Sequence, residues 1–214
     1  MSKLTLTRRT LIASATAGAA TVLCAPAVIA RGPATKPFYA TPDDKHPIFP
    51  VGPDIVPLSH RKTIVPYANN LNPGAIVVDT RNRYLYVKID PGRAMRYGVS
   101  VGKEGFGWSG HATIQRKVMW PKWTPPREMI QRDPKLAKYA KGMPGGPDNP
   151  LGARALYLYK DGKDTLYRIH GTNKPGSIGR AESSGCIRML NEDVVEVFQA
   201  TLIGTDVYVL GHKG

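Results

Sequence analysis

Cysteine is scarce in this sequence: there are two in 214 residues, Cys24 and Cys186. Cys24 lies in an N-terminal stretch that reads as removable, so Cys186 is the lone thiol of the mature chain and an internal disulfide is excluded. Compact ligand spacings such as C-x-x-C or H-x-x-x-H are also lacking. That argues against a metal site, including a zinc site assembled from Cys186, His170 and His111 or His46. There is no run of about 20 strongly apolar residues, hence no expected spanning helix once the N-terminus is removed. Acids are few, 16 Asp and Glu against 30 Lys and Arg, giving a formal net charge of +14. Zinc-finger spacings and RNP-type aromatic patterns are missing, so the charge does not indicate a nucleic-acid partner. Internal repeats and cofactor signatures are lacking too, and no cofactor is expected.

What is present at the N-terminus is an export pattern. Lys3, Arg8 and Arg9 precede an Ala/Thr-rich apolar stretch, Leu11 to Leu23, which ends in small residues around Ala25-Pro26-Ala27 and Val28-Ile29-Ala30. The order Thr7-Arg8-Arg9-Thr10-Leu11-Ile12 resembles a twin-arginine signal. Residues 1–30 are therefore expected to be an export signal, delivering the chain to a periplasm-like space. There its remaining excess of cations suits anionic envelope polymers.

Residues 31–74 are rich in proline, with nine of the chain's nineteen between Arg31 and Ala75, and read as an extended linker or a strap over the domain. The domain itself is expected over 75–212. Ala75-Ile76-Val77-Val78, a turn, and Tyr84 to Ile89 alternate as a strand pair, with Leu85, Val87 and Ile89 inward; Met95 to Val101 continues a meander. From Lys103 to Arg154 the pattern weakens into a long loop with Trp108, Trp120 and Trp123, and a short basic helix over Arg127 to Lys141. Ala155 to Tyr159 and Thr165 to His170 form a hairpin that ends at His170. Asn191, as a cap, starts a helix carrying Val194, Val197, Phe198 and Thr201, which Gly204 closes. Asp206 to Leu210 is a last strand. The expected class is mostly β, sandwich-like, with one main helix after the cysteine loop.

The chemistry is concentrated in His170-Gly171-Thr172-Asn173 and Ser183-Ser184-Gly185-Cys186-Ile187-Arg188-Met189. A cysteine of ordinary pKa, about 8.5, is only a few per cent thiolate at neutral pH, so a nucleophile needs an imidazole or cations beside it. His170 and Arg188 are the nearest such groups in sequence. Gly185 allows close approach of a substrate carbonyl, and the amides of Gly185 and Cys186 are placed to meet a developing oxyanion. A backbone carbonyl is the plausible acceptor that orients His170. Tyr157, Tyr159 and Tyr167 alternate nearby, and one of them could donate to the oxyanion. His46, His60, His111 and His212 have no motif context. The tryptophans read as pins for the long loop ahead of a groove lining.

This segment resembles the signature of the L,D-transpeptidase (YkuD, or ErfK-YbiS-YcfS-YnhG, type) catalytic domain: a histidine followed by Gly-Thr, a spacer, then Ser-x-Gly-Cys with an apolar residue and Arg or Asn. The resemblance spans roughly Ala75 to Leu210 and is strongest from Ala155 to Val197. It implies that Cys186 attacks, His170 exchanges the proton, the carbonyl of Gly171 orients His170, and Arg188 and Ser183 serve substrate binding. Ser184, expected with Gly171 and Gly185 to orient the site or meet the oxyanion, stands where the family often has histidine, leaving one imidazole. The implied substrate is the peptide stem of peptidoglycan: cleavage after the third residue releases D-alanine, and an amine resolves the acyl-enzyme. That amine belongs to another stem, giving a 3→3 cross-link, or to an outer-membrane protein or lipoprotein. A same-fold hydrolase, carboxypeptidase or endopeptidase, and a non-catalytic peptidoglycan-binding module are the competing readings. A papain-like peptidase is disfavoured because the histidine precedes the cysteine and sits on a strand.

Overall fold

The computed structural model of the protein describes residues 36–103 and 108–211. The export signal read at residues 1–30, with Cys24, and also His212 lie outside the described residues. Eleven strands are described: β1 Thr63–Pro66, β2 Ile76–Asp79, β3 Tyr84–Asp90, β4 Arg93–Gly98, β5 Val101–Gly102, β6 Gly110–Met119, β7 Arg154–Lys160, β8 Lys163–His170, β9 Ala181–Ser183, β10 Ile187–Arg188 and β11 Asp206–Leu210. Two α-helices, α1 Arg127–Arg132 and α2 Asn191–Ala200, complete the regular elements together with short 3-10 turns. None of the described helices is long and apolar enough to cross a membrane.

Nine strands form one sheet in the order β1-β4-β3-β2-β11-β6-β7-β8-β10, and β5 pairs with β9 in a second, two-stranded sheet. Ile76, Leu85, Val99, Ile114, Leu156, Ile169, Ile187 and Val207 share one core cluster. Strands from both halves of the large sheet thus face a common interior, as in a sandwich. Helix α2 closes this core with Val194 and Val197, the spacing that marks its apolar stripe in the sequence.

The meander β2-β3-β4 forms as its alternation predicts, with one correction. Leu85 and Val87 point inward, but the register shifts between Lys88 and Asp90, so Lys88 is buried and Ile89 exposed. A bulge adds a residue and reverses the faces beyond it. The Lys88 ammonium is satisfied there by the carbonyls of Tyr67, at 2.7 Å, and Pro91, at 3.1 Å. The strand expected from Met95 to Val101 is two strands. At Ser100 the chain crosses to Arg188, exchanging backbone hydrogen bonds of 2.9 and 2.8 Å.

Regular structure begins before Ala75, because β1 pairs with β4 at the edge of the sheet. Pro66 is tolerated there since an edge strand can leave one side unpaired. The rest of the proline-rich stretch is fastened to the domain. Ile48 packs with Trp120, Ala153 and Val195, and Val56 with Ile178 and Leu190. Asp44 accepts both terminal nitrogens of Arg154 at 2.7 Å and the Trp120 indole N–H at 2.8 Å, all buried.

The long loop contains a ten-residue strand that its periodicity hides. In β6, Ala112 and Ile114 are buried, but a register shift between Ile114 and Arg116 breaks the alternation. Lys117 then donates to Phe198 O and Thr201 O at the end of α2. That side chain satisfies carbonyls the helix leaves open, so α2 stops at Ala200. Gly204 lies beyond, where its amide donates to Ile114 O at 2.7 Å. It does not close the helix. The basic helix expected over Arg127 to Lys141 is split into α1 and a 3-10 turn, Pro134–Tyr139, because Pro134 cannot continue the first helix.

Candidate active site

The hairpin β7-β8 turns through Asp161 and Gly162, both at positive φ, as a two-residue hairpin turn requires. Strand β10 runs parallel to β8 on its outer edge, with Ile187 opposite Ile169 and Arg188 opposite His170. Both isoleucines are in the core. Side chains alternate faces along a strand, so Arg168, His170 and Arg188 share the opposite face. Cys186, one residue before β10, falls on that face as well. The electrostatics agree: Arg188 and Arg168 act on both His170 and Cys186.

His170 is buried at the strand end, and its Nδ1 is 2.6 Å from Gly171 O. A carbonyl only accepts, so Nδ1 carries the proton and Nε2 is left as the basic nitrogen. Burial lowers the His170 pKa to about 4, helped by the guanidinium of Arg188 and then that of Arg168. Backbone hydrogen bonds at Gly171 and Leu151 oppose the shift. Burial also pushes the Cys186 thiol above its ordinary range, against the pull of Arg168 and Arg188. Resting thiol and imidazole are therefore both neutral at pH 7.

Cys186 is half-exposed, and its Sγ lies 3.9 Å from Leu166 O. Leu166 sits where β8 bulges against β7 between Tyr157 and Tyr159, in the left-handed region at φ 64. A leucine held there stores strain of about 1–3 kcal/mol. Arg168, paired twice with Asp164 at 2.8 and 2.9 Å, lies over the Tyr157 ring. Tyr167 turns to the other face and stacks on Trp108, whereas Tyr157 is on the cysteine side. Arg188 is half-buried, and its guanidinium has neither a hydrogen-bond nor an ion-pair partner among the described residues. An unpaired guanidinium beside a thiol is suited to an anionic part of a ligand.

The loop residues named from the sequence divide by role. Gly185 is at φ 121, and its amide donates to Ser183 Oγ at 3.1 Å, so it is engaged within the loop. Ser183 is buried and donates to Cys186 O at 2.6 Å, a contact that shapes the loop. Ser184 is exposed. Gly171 must be glycine, because a Cβ would collide with Asn191 Oδ1 and press on the Ala153 amide.

Asn191 is the residue whose role the sequence misassigned. It is the first residue of α2 and caps nothing there; the N-cap is Leu190. Its Oδ1 accepts from Ala153 N at 3.0 Å and Thr172 N at 3.1 Å, and its Nδ2 donates to Thr172 O at 3.0 Å. Arg154 O accepts from Gly171 N at 3.0 Å. The His170-Gly171-Thr172 turn is thus gripped from two sides. Arg168 and Leu166 were also overlooked; period-two spacing from His170 could have flagged Arg168, but nothing in the sequence announces the bulge. His46 packs edge-on to Trp120, His60 stacks on Tyr84, and His111 pairs with Asp206 at 2.7 Å. Trp120 is a buried pin, as expected for the long loop.

Residues 73–209 match the family model described as YkuD, L,D-transpeptidase catalytic domain. The Escherichia coli (strain K12) protein named "Probable L,D-transpeptidase ErfK/SrfK" is 33% identical over 145 residues, covering 64% of this chain and 44% of that protein. The chain thus spans less than half the length of that relative. A Fuscovulum blasticum open reading frame from the ATP synthase subunits region, carrying an L,D-transpeptidase name, is 36% identical over 144 residues, covering 66% of this chain and 72% of its own. A Brucella melitensis crystal structure, described as a probable carnitine operon oxidoreductase, is 46% identical. It covers 73% of this chain and 97% of its own, with a TM-score of 0.50.

Proposed function

The chain belongs to the L,D-transpeptidase catalytic-domain family, and from that premise we propose that it is an exported, periplasmic cysteine acyltransferase acting on peptidoglycan stem peptides. The observation that carries this reading is the parallel β8-β10 pairing, which sets His170, Arg188 and the approach of Cys186 on one face. In the proposed reaction His170 Nε2 accepts the thiol proton as Cys186 Sγ attacks the carbonyl of the third stem residue. The Cys186 amide donates to the oxyanion, and Arg188 holds a stem carboxylate. Collapse breaks the C–N bond, and His170 returns the proton to the leaving D-alanine amine, leaving a thioester. An acceptor amine then attacks the thioester with His170 as base, forming the new amide and freeing the thiol. The acceptor is a second stem, giving a 3→3 cross-link, or an amine of an envelope protein.

Mass spectrometry of the mature protein incubated with a carbapenem and, separately, with a tetrapeptide stem tests this. An adduct on Cys186 with D-alanine release, absent in Cys186→Ala and slowed at least about a hundredfold in His170→Ala, is the expected result. A folded protein that acquires no adduct would refute the assignment and favour a binding module. Product analysis with and without an added amine separates transfer from hydrolysis.

A further inference from the structure

Between Trp123 and Met143 the chain leaves the body of the domain and returns. The two residues close this excursion by reciprocal backbone hydrogen bonds of 3.0 and 2.6 Å. Buried Asn149 fastens the return by donating to Pro121 O at 3.1 Å and Pro144 O at 2.9 Å. The lobe so bounded, residues 124–142, contains α1 and the 3-10 turn, and neither element buries a residue. It cannot be held by a core of its own, and its surface is free for other work.

That surface is basic. Arg127, Arg132, Lys135, Lys138 and Lys141 are all exposed, against two acids, Glu128 and Asp133. Asp133 is occupied as a cap, accepting from Lys135 N at 3.2 Å. Among the described residues none of the five lobe cations has an acid partner. Like charges on so small an excursion repel one another and project a positive potential, which an anionic ligand would relieve.

The segment that follows the lobe runs on to the candidate site. Just past its closing bridge, Asp148 O accepts from Asn173 Nδ2 at 2.7 Å, three residues after His170. Leu151 follows, whose backbone acts on His170. We propose that the 124–142 lobe is a docking surface for the carboxylates of polymeric peptidoglycan, holding neighbouring stems while one is acylated. This rests on the function proposed above. Three of the five cations are lysines, whose flexible point charges accept carboxylates at irregular spacing without demanding a bidentate geometry. The attraction is ionic and exposed, so it weakens as salt rises.

The test compares the wild-type mature chain with Lys135→Gln/Lys138→Gln/Lys141→Gln in cosedimentation with sacculi stripped of bound proteins and phosphate polymers. The expected result is a roughly tenfold weaker binding for the triple variant at low salt. The difference should vanish at high salt and on sacculi whose carboxylates have been amidated. Acylation of Cys186 by a small tetrapeptide should be unchanged in the variant, since none of the three lysines is placed in the catalytic machinery. Equal binding by the two proteins, or binding indifferent to amidation, would overturn the proposal. A charge effect seen only on sacculi that retain phosphate polymers would overturn it in favour of those polymers. Loss of small-peptide acylation in the wild type would instead be a failure of the proposed function.

Discussion

His170 and Cys186 are tuned in opposite directions by one cause. Burial disfavours charge on each, so it lowers the imidazole and raises the thiol. The pair rests uncharged, and in the proposed reaction the thiol would lose its proton to His170 only during attack. Alkylation of the free protein by iodoacetamide should accordingly keep rising above about pH 9. A plateau across neutral pH would reveal a preformed thiolate and contradict this.

The same burial links His170 to stability. Its pKa falls from 6.5 unfolded to about 4 folded, so between those values the unfolded chain binds the extra proton. Stability therefore rises with pH there, by roughly 3 kcal/mol in all. Asp193 has the opposite sign. Buried in α2 and beside Glu192, it titrates at about 7 against 3.8 unfolded, so its contribution falls as pH climbs through that range. The two slopes offset each other in the wild type. Thermal melts of Asp193→Asn should show a steeper gain from pH 4 to 6.5 than the parent does, and parallel curves would refute the assignment of that buried acid.

Elements became legible in proportion to how much of their sequence serves their own packing. β7, β11 and α2 place most of their apolar residues in the core at the period of their own structure and are legible, and β8 is legible through Ile169 and His170 although its bulge leaves Leu166 exposed. β6 escaped because Lys117 serves α2 and Arg116 stacks over Tyr157 on β7. β1 escaped because an edge strand needs little burial and allows proline. Asn191 illustrates the same point: as the first residue of a helix it reads as a cap, yet its amide joins α2 to the turns at Ala153 and Thr172. Asn191→Ala would strand two amides and a carbonyl, costing roughly 2–4 kcal/mol. Urea unfolding measures this, and a loss below about 0.5 kcal/mol would show that water replaces the side chain.

Across the whole molecule, the proline-rich strap is joined to the start of β7 by Asp44 and Arg154, 110 residues apart in sequence. Burial would raise the Asp44 pKa, but Arg154 and Trp120 bring it down to about 2. Asp44→Ala leaves a guanidinium buried without its partner, at a cost of about 3–5 kcal/mol. Asp44→Leu/Arg154→Met should regain most of that in chemical denaturation. A single mutant as stable as the parent would show that the pair contributes nothing to holding the strap.

Local sequence determined the β character, the hairpin that delivers His170, the helix after Cys186 and the two residues on which the proposed chemistry turns. Each of these depends on short-range periodicity or on a compact motif. Only the tertiary structure decided that β10 would lie parallel to β8, that Ser183 and Gly185 would be spent on shaping the loop, and that Asp44 would reach Arg154. These are pairings between segments far apart in the chain, chosen by burial and hydrogen-bond satisfaction over the whole molecule, and no local pattern encodes them.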